Sequence, residues 1–158
     1  MPSADILFNL SCFGRWKEVK DFFRVASHQE FTALCNEHGE NALIQCIHGA
    51  HIQEKLPATN LQQNEDYSKT IDALVQNGVS VNQTDNSNRT ALHWTAQYNL
   101  DALARVLLKH GADAGIEDSF GYKPLHLAIF HNSDRCLEAI AELQPTVTLR
   151  IVSVCIFF

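Results

Sequence analysis

Thr90-Ala91-Leu92-His93-Trp94-Thr95-Ala96 and, 33 residues later, Lys123-Pro124-Leu125-His126-Leu127-Ala128-Ile129 are two copies of one short apolar run, each opened by turn chemistry. When residues 85–117 are written above residues 118–150, Asp85 meets Asp118, Leu92 meets Leu125, and His93 meets His126. Asn99 and Asp101 likewise meet Asn132 and Asp134. A fixed period in the 20–50 residue range is the mark of a repeat architecture, in which no unit can bury its apolar face alone and neighbours must stack.

Within each unit the order is the same. Asp85-Asn86-Ser87-Asn88 and Asp118-Ser119-Phe120-Gly121 suit tight turns, because Asp, Asn and Gly reach left-handed backbone cheaply. Pro124 fits the first turn of a helix, where its missing N–H costs nothing. A second helical stretch carries Leu103, Val106, Leu107 and Leu108 as a one-sided stripe, and Gly111 is a natural stop.

Upstream the pattern continues with an interruption. Leu74 and Gly78 stand 33 residues before Leu107 and Gly111, but Leu43 stands 49 before Leu92. The 16 extra residues fall near 49–65, around Pro57 and the polar run Asn60-Leu61-Gln62-Gln63-Asn64, and are expected to lengthen the turn between two helices. The units are therefore expected at 3–35, 36–84 with the insertion, 85–117 and 118–150. In the first, Ile6, Leu7 and Leu10 form one stripe and Val19, Phe22 and Phe23 another. Arg15, Lys17, Glu18, Lys20 and Asp21 would solvate the outer face of this terminal repeat.

Taken together these motifs resemble the ankyrin repeat family, with its Gly-x-Thr-Pro-Leu-His-x-Ala opening and its Leu-Leu-x-x-Gly-Ala-Asp close. The residues that carry the likeness are Thr90, Leu92 and His93 with Leu107-Leu108-Lys109-His110-Gly111-Ala112-Asp113, then Gly121, Pro124, Leu125 and His126. Asn41-Ala42-Leu43-Ile44 and Gly78-Val79-Ser80-Val81-Asn82 match more loosely. The resemblance implies an all-α solenoid of helix-turn-helix pairs with short hairpin or turn fingers. It implies that His93 and His126 bond the turn and tie adjacent repeats, and that Trp94 packs between them.

It also implies a non-catalytic adaptor or regulatory module that binds another protein through its concave finger and inner-helix surface. The family's variable contact positions fall on Glu37, His38, Glu40 and His48; on Asn86, Ser87, Arg89, Gln97 and Tyr98; and on Ser119, Phe120, Tyr122, Phe130 and His131. Tyr98, Phe120 and Tyr122 are the expected aromatic anchors, since rings bury large area at modest entropy cost. The packing alternative has Phe130 resting on the tail and Phe120 and Tyr122 bracing neighbouring fingers. The resemblance further implies that Asn82, with Leu74 and Val81 before it, is a site for asparaginyl hydroxylation, although Ser80 replaces the usual acidic neighbour. The alternative to a free-standing adaptor is a truncated isoform or regulatory segment of a larger ankyrin-containing enzyme, channel or signalling protein.

Composition narrows the remaining classes. With 158 residues, 12 basic against 18 acidic side chains and a net charge of -6, nucleic acid is not expected as a partner. No apolar run approaches the roughly 20 residues that cross a bilayer, and no secretory signal opens the chain, so cytoplasm or nucleus is the expected compartment. Cys12, Cys35, Cys46, Cys136 and Cys155 lack a CxxC pairing and suit reduced, mostly buried thiols. Among the eight histidines, His38, His48 and His51 lie near Cys46, but their spacing matches no strong zinc pattern. No nucleophile with an activating base and no phosphate loop is evident, so neither cofactor nor catalysis is expected.

Residues 151–158, Ile-Val-Ser-Val-Cys-Ile-Phe-Phe, lie outside the repeat register. They would cover the open face of the fourth repeat, mark a premature end, or touch a membrane they are too short to span. Loss of register favours truncation, and deleting 151–158 is then expected to improve solubility.

Overall fold

The computed structural model describes residues 4–25, 34–55 and 61–145. The hydrophobic tail 151–158, the centre of the insertion around Pro57 and part of the first unit lie outside the described residues. Eight helices are present among those described: α1 (Ala4–Cys12), α2 (Trp16–Val25), α3 (Ala42–Glu54), α4 (Leu61–Gln76), α5 (Ala91–Tyr98), α6 (Asp101–Lys109), α7 (Pro124–Phe130) and α8 (Asp134–Leu143). They form antiparallel pairs that stack in two layers. The inner layer runs α1, α3, α5, α7 and the outer layer α2, α4, α6, α8, each helix touching its predecessor and successor in its own layer. This is the all-α solenoid of stacked helix pairs that the resemblance implies.

Local chemistry sets the helix ends. Asn41 caps α3 by accepting from the Ile44 N–H at 3.0 Å. Asn99 ends α5 in left-handed backbone at φ 58°, and its counterpart Asn132 after α7 does the same at φ 53°. Burial follows the period: Leu43, Leu92 and Leu125 are enclosed in the inner layer, and Leu74, Leu107 and Ile140 hold equivalent enclosed positions in the outer one. One continuous apolar core therefore runs the length of the stack, as nearest-neighbour stacking requires.

The insertion does not simply lengthen a turn. It lengthens the helices: α3 has 13 residues against 8 in α5, and α4 has 16 against 9 in α6. The added length grips the first pair. Tyr67 donates its hydroxyl to the Cys12 carbonyl at 3.0 Å, Trp16 Nε1 donates to Asp66 Oδ1 at 3.2 Å, and Gly49 lets the α1 backbone approach α3 directly at Cys12. A polar run between two units became structure because α1 and α2 offered a surface to pack on.

Candidate functional site

The fingers are built by one device used three times. Asn36, Asp85 and Asp118 occupy equivalent positions, and the side-chain Oδ1 of each accepts two backbone N–H groups. Asn36 receives those of His38 and Glu40, both at 2.9 Å. Asp85 receives those of Ser87 and Arg89 at 2.8 and 2.9 Å, and Asp118 those of Phe120 and Tyr122 at 2.9 Å. Each turn closes through one left-handed residue, Gly39, Asn88 or Gly121. Successive fingers join by main-chain bonds, from the Asn86 N–H to the His38 carbonyl and from the Ser119 N–H to the Ser87 carbonyl, both 2.9 Å.

Behind the fingers, His93 bonds its own turn and ties it to the next, whereas His126 bonds its own turn alone among the described residues. His93 Nδ1 accepts the Thr90 N–H at 3.0 Å, which leaves the proton on Nε2 to donate to the Tyr122 carbonyl of the next finger at 3.1 Å. His126 Nδ1 accepts the Lys123 N–H at 2.9 Å in the same way. Burial lowers the pKa of both, with the nearby Lys123 adding to the effect at His126. Burial also lowers that of His51, with Lys55 and His48 contributing.

A pH dependence follows. A histidine whose folded pKa is depressed binds more protons unfolded than folded, so its contribution is complete above the ordinary value of about 6.5 and is lost as pH falls. The melting temperature is expected to hold steady from pH 8 to 7 and to fall between pH 7 and 5. His93→Gln should melt lower at pH 7.5 and decline less steeply on acidification. A melting temperature that rises on acidification contradicts this assignment.

On the finger and inner-helix face the fourteen expected contact residues separate into two sets. Glu40, His48, Arg89, Gln97 and Tyr98 are already committed to one another or to the scaffold. Glu40 Oε1 meets His48 Nε2 at 3.0 Å, and His48 Nδ1 meets the Tyr98 hydroxyl at 3.1 Å. Tyr98 stacks flat on His51 at 3.7 Å between centroids, and burial followed by Glu40 pushes its phenol pKa up. Arg89 donates to Gln97 Oε1 at 3.2 Å and to the enclosed Asp118 Oδ2 at 3.4 Å, with its guanidinium 5.2 Å above the Trp94 ring. This set is a preorganised floor.

The second set is open. Glu37, His38, Asn86, Ser87, Ser119 and His131 are exposed. So are Phe120 at 74%, Tyr122 at 51% and Phe130 at 82%. A groove of about 320 Å³ lies among Phe120, Tyr122, Phe130, Leu127, His126, His131 and Arg89. Tyr98 does not line it, so the expected patch of Tyr98, Phe120 and Tyr122 divides into a stacked ring on the floor and an open aromatic groove that gains Phe130.

Trp94, Asp85 and His51 also stand on this face, outside the fourteen expected contact positions. Trp94 is half-buried, packs against His48 at 4.7 Å and Tyr98 at 5.7 Å, and donates Nε1 to Asp85 Oδ2 at 3.0 Å. The signal was available in spacing, since Trp94 and Tyr98 are four apart and His48 and His51 three apart, each pair on one helix face.

Asn82 is engaged. Its Nδ2 donates to the Gly111 carbonyl at 3.2 Å and its Oδ1 accepts the Asp113 N–H at 2.8 Å, so a modifying enzyme would have to draw it from these bonds. Among the described residues no group of three His, Cys, Asp or Glu side chains is placed to hold a metal ion. Cys46 and Cys136 are buried, with burial raising both thiol pKa values, whereas Cys35 is exposed. No described helix is long and apolar enough to cross a membrane.

Comparison with known proteins gives the same architecture. A family model described as "Ankyrin repeats (3 copies)" matches residues 59–150. The chain is 40% identical over 92 residues to Neurogenic locus notch homolog protein 1 of Homo sapiens, a match covering 58% of this chain and 4% of that protein. It is 44% identical over 73 residues to Inversin of Canis lupus familiaris, covering 46% and 7%. It is 31% identical over 108 residues to Palmitoyltransferase AKR1 of Lachancea kluyveri, covering 68% and 15%. The chain thus spans a small fraction of the length of each of these curated relatives.

Proposed function

Because the chain belongs to the ankyrin-repeat family, whose repeats are protein-interaction modules, we propose that it is a non-catalytic adaptor that captures a partner protein on its concave finger and inner-helix face. The observation that carries this reading is the groove in which Phe120, Tyr122 and Phe130 stand exposed beside Arg89. Exposed rings in a fixed setting are natural interface anchors, because little further ordering is required when they are covered. Arg89 is held by Asp118, Gln97 and the Trp94 ring, so it supplies a positioned cation at the groove's edge. The exposed finger tips Glu37, His38, Asn86, Ser87 and Ser119 extend the contact along the stack.

Quantitative affinity purification of the full chain tests this. Tyr122→Ala is expected to weaken capture of a specific partner by about 2 kcal/mol, or about thirtyfold in Kd. Phe120→Ala and Phe130→Ala should act in the same direction, and Arg105→Ala on the outer layer should leave capture unchanged. Equal capture by all four variants, with helicity and melting preserved, removes the reading.

A second reading has the chain as a regulatory segment of a larger protein. It is favoured by its matching only 4–15% of the relatives described above. In that case the activity of the whole lies elsewhere and the groove addresses either a partner or another part of the same protein.

A further inference from the structure

On the outer layer, away from the fingers, three lysines surround one aromatic ring. Trp16 opens α2, and the ammonium groups of Lys20, Lys17 and Lys69 lie 5.2, 5.5 and 5.8 Å from its ring centroid. The ring is held in place, because its Nε1 donates across to Asp66 Oδ1 on α4 at 3.2 Å. Each cation is attracted to the ring, but three like charges this close repel one another. An arriving anion relieves that repulsion.

The carboxylates nearby are committed elsewhere. Glu18 pairs with Arg15 at 3.3 Å, Asp21 with Arg24 at 3.4 Å and Glu65 with Lys69 at 3.2 Å, while Asp66 holds the indole. Lys17 and Lys20 are exposed, and among the described residues neither has a carboxylate within ion-pair distance.

The surface around the ring is a trough. Two open hollows of about 540 and 660 Å³ meet at Trp16 and Lys17 and follow the seam between α2 and α4, the first reaching the exposed Phe13 and the second Arg24. Lys69 lines only the first hollow and Lys20 only the second, whereas Lys17 lines both. With 10 residues in α2 the seam is about 15 Å long, room for about five residues of extended chain. In extended chain, alternate side chains stand on one side about 6.7 Å apart. A segment that lays an apolar side chain on the Trp16 ring therefore carries the side chains two before and two after it to the lysines on either side.

This pattern suits a peptide better than a membrane. An anionic bilayer responds to the summed charge of a face, and here Glu18, Asp21, Glu65 and Asp66 offset all but one of the charges of Arg15, Lys17, Lys20, Arg24 and Lys69. A short segment meets the lysines one at a time.

We propose that the seam of α2 and α4 is a second docking surface, separate from the finger face, for an extended segment of a partner protein with the pattern acidic-x-apolar-x-acidic. The apolar side chain rests on Trp16, one carboxylate meets Lys20, and the other meets Lys17 and Lys69.

The full chain carries two tryptophans, and Trp94 on α5 in the inner layer serves as the internal control. Proton–nitrogen NMR gives one indole signal for each. The probe is the capped pentapeptide Glu-Ser-Leu-Ser-Glu, which is expected to shift the Trp16 indole signal saturably and leave that of Trp94 in place. Lys17→Gln combined with Lys20→Gln should weaken binding about tenfold, and Lys109→Gln on α6 should not change it. No saturable shift at Trp16 overturns the proposal, as does equal affinity in the double variant or for Gln-Ser-Leu-Ser-Gln. A shift at Trp94 alone overturns it in favour of the finger face. Binding to vesicles of phosphatidylcholine and phosphatidylserine in equal parts, with no peptide shift at Trp16, overturns it in favour of a membrane.

Discussion

Gly49→Ala is expected to release the first helix pair from the stack. A Cβ at this position would overlap the Cys12 carbonyl and its neighbouring backbone atoms, so a rotamer change cannot relieve the clash and α1 must move away from α3. Overpacking of this kind costs about 3 kcal/mol. In a stacked fold the cost falls on one interface rather than on the whole chain. Unfolding by urea should therefore become biphasic, and amides in α1 and α2 should exchange about a hundredfold faster while α5–α8 are unchanged. Gly111→Ala is the contrast. It has open space around the position but a φ of +85°, so it should cost only about 1 kcal/mol through backbone strain. Equal losses in the two variants would show that close approach at Gly49 is not what holds the first pair.

Asp118→Ala carries the second large effect. This enclosed carboxylate accepts the Phe120 and Tyr122 N–H groups and faces Arg89 at 3.4 Å. Burial favours its neutral form, but the N–H donors of Tyr122 and Phe120 and the Arg89 charge outweigh that and hold its pKa below the ordinary carboxylate value. Removing it strands two turn donors and a largely buried guanidinium, for a loss of about 3 kcal/mol. Asp118→Asn keeps the Oδ1 acceptor for the two turn donors but puts an amide NH2 where Oδ2 accepts from Arg89, so about half that loss is expected. A double-mutant cycle with Arg89→Gln isolates the ion pair. A depressed folded pKa means that this stability is present above the ordinary carboxylate range and is lost as pH falls through the lowered value. If Asp118→Ala melts like the parent, the turn device does not support the finger.

The period of 33 residues made the fold legible, because Leu92 and Leu125 pack the inner layer, His93 and His126 each bond their own turn through Nδ1, and Asp85 and Asp118 close the fingers one unit apart. The insertion was less legible. Pro57 and the Asn60–Asn64 run carry loop chemistry, and the reason that α3 and α4 extend into it lies far away in sequence, in Cys12, Gly14 and Trp16. Gly49 stands at the start of the expected insertion, and nothing near it in sequence marks its close approach to Cys12. On the candidate face, composition identified the aromatic residues but not their states. Tyr98 and Phe120 are both rings at variable positions, yet one is stacked on His51 and the other is open, a difference set by the neighbouring α3.

The central claim is that a partner protein is gripped on the finger and inner-helix face. Once a partner is purified, hydrogen exchange of the complex against the free chain tests it most directly. Protection is predicted in the fingers at 37–40, 86–89 and 119–122 and along the groove to His131, with the outer helices α6 and α8 unchanged. Protection confined to α6 and α8, with the fingers exchanging as in the free chain, would contradict it.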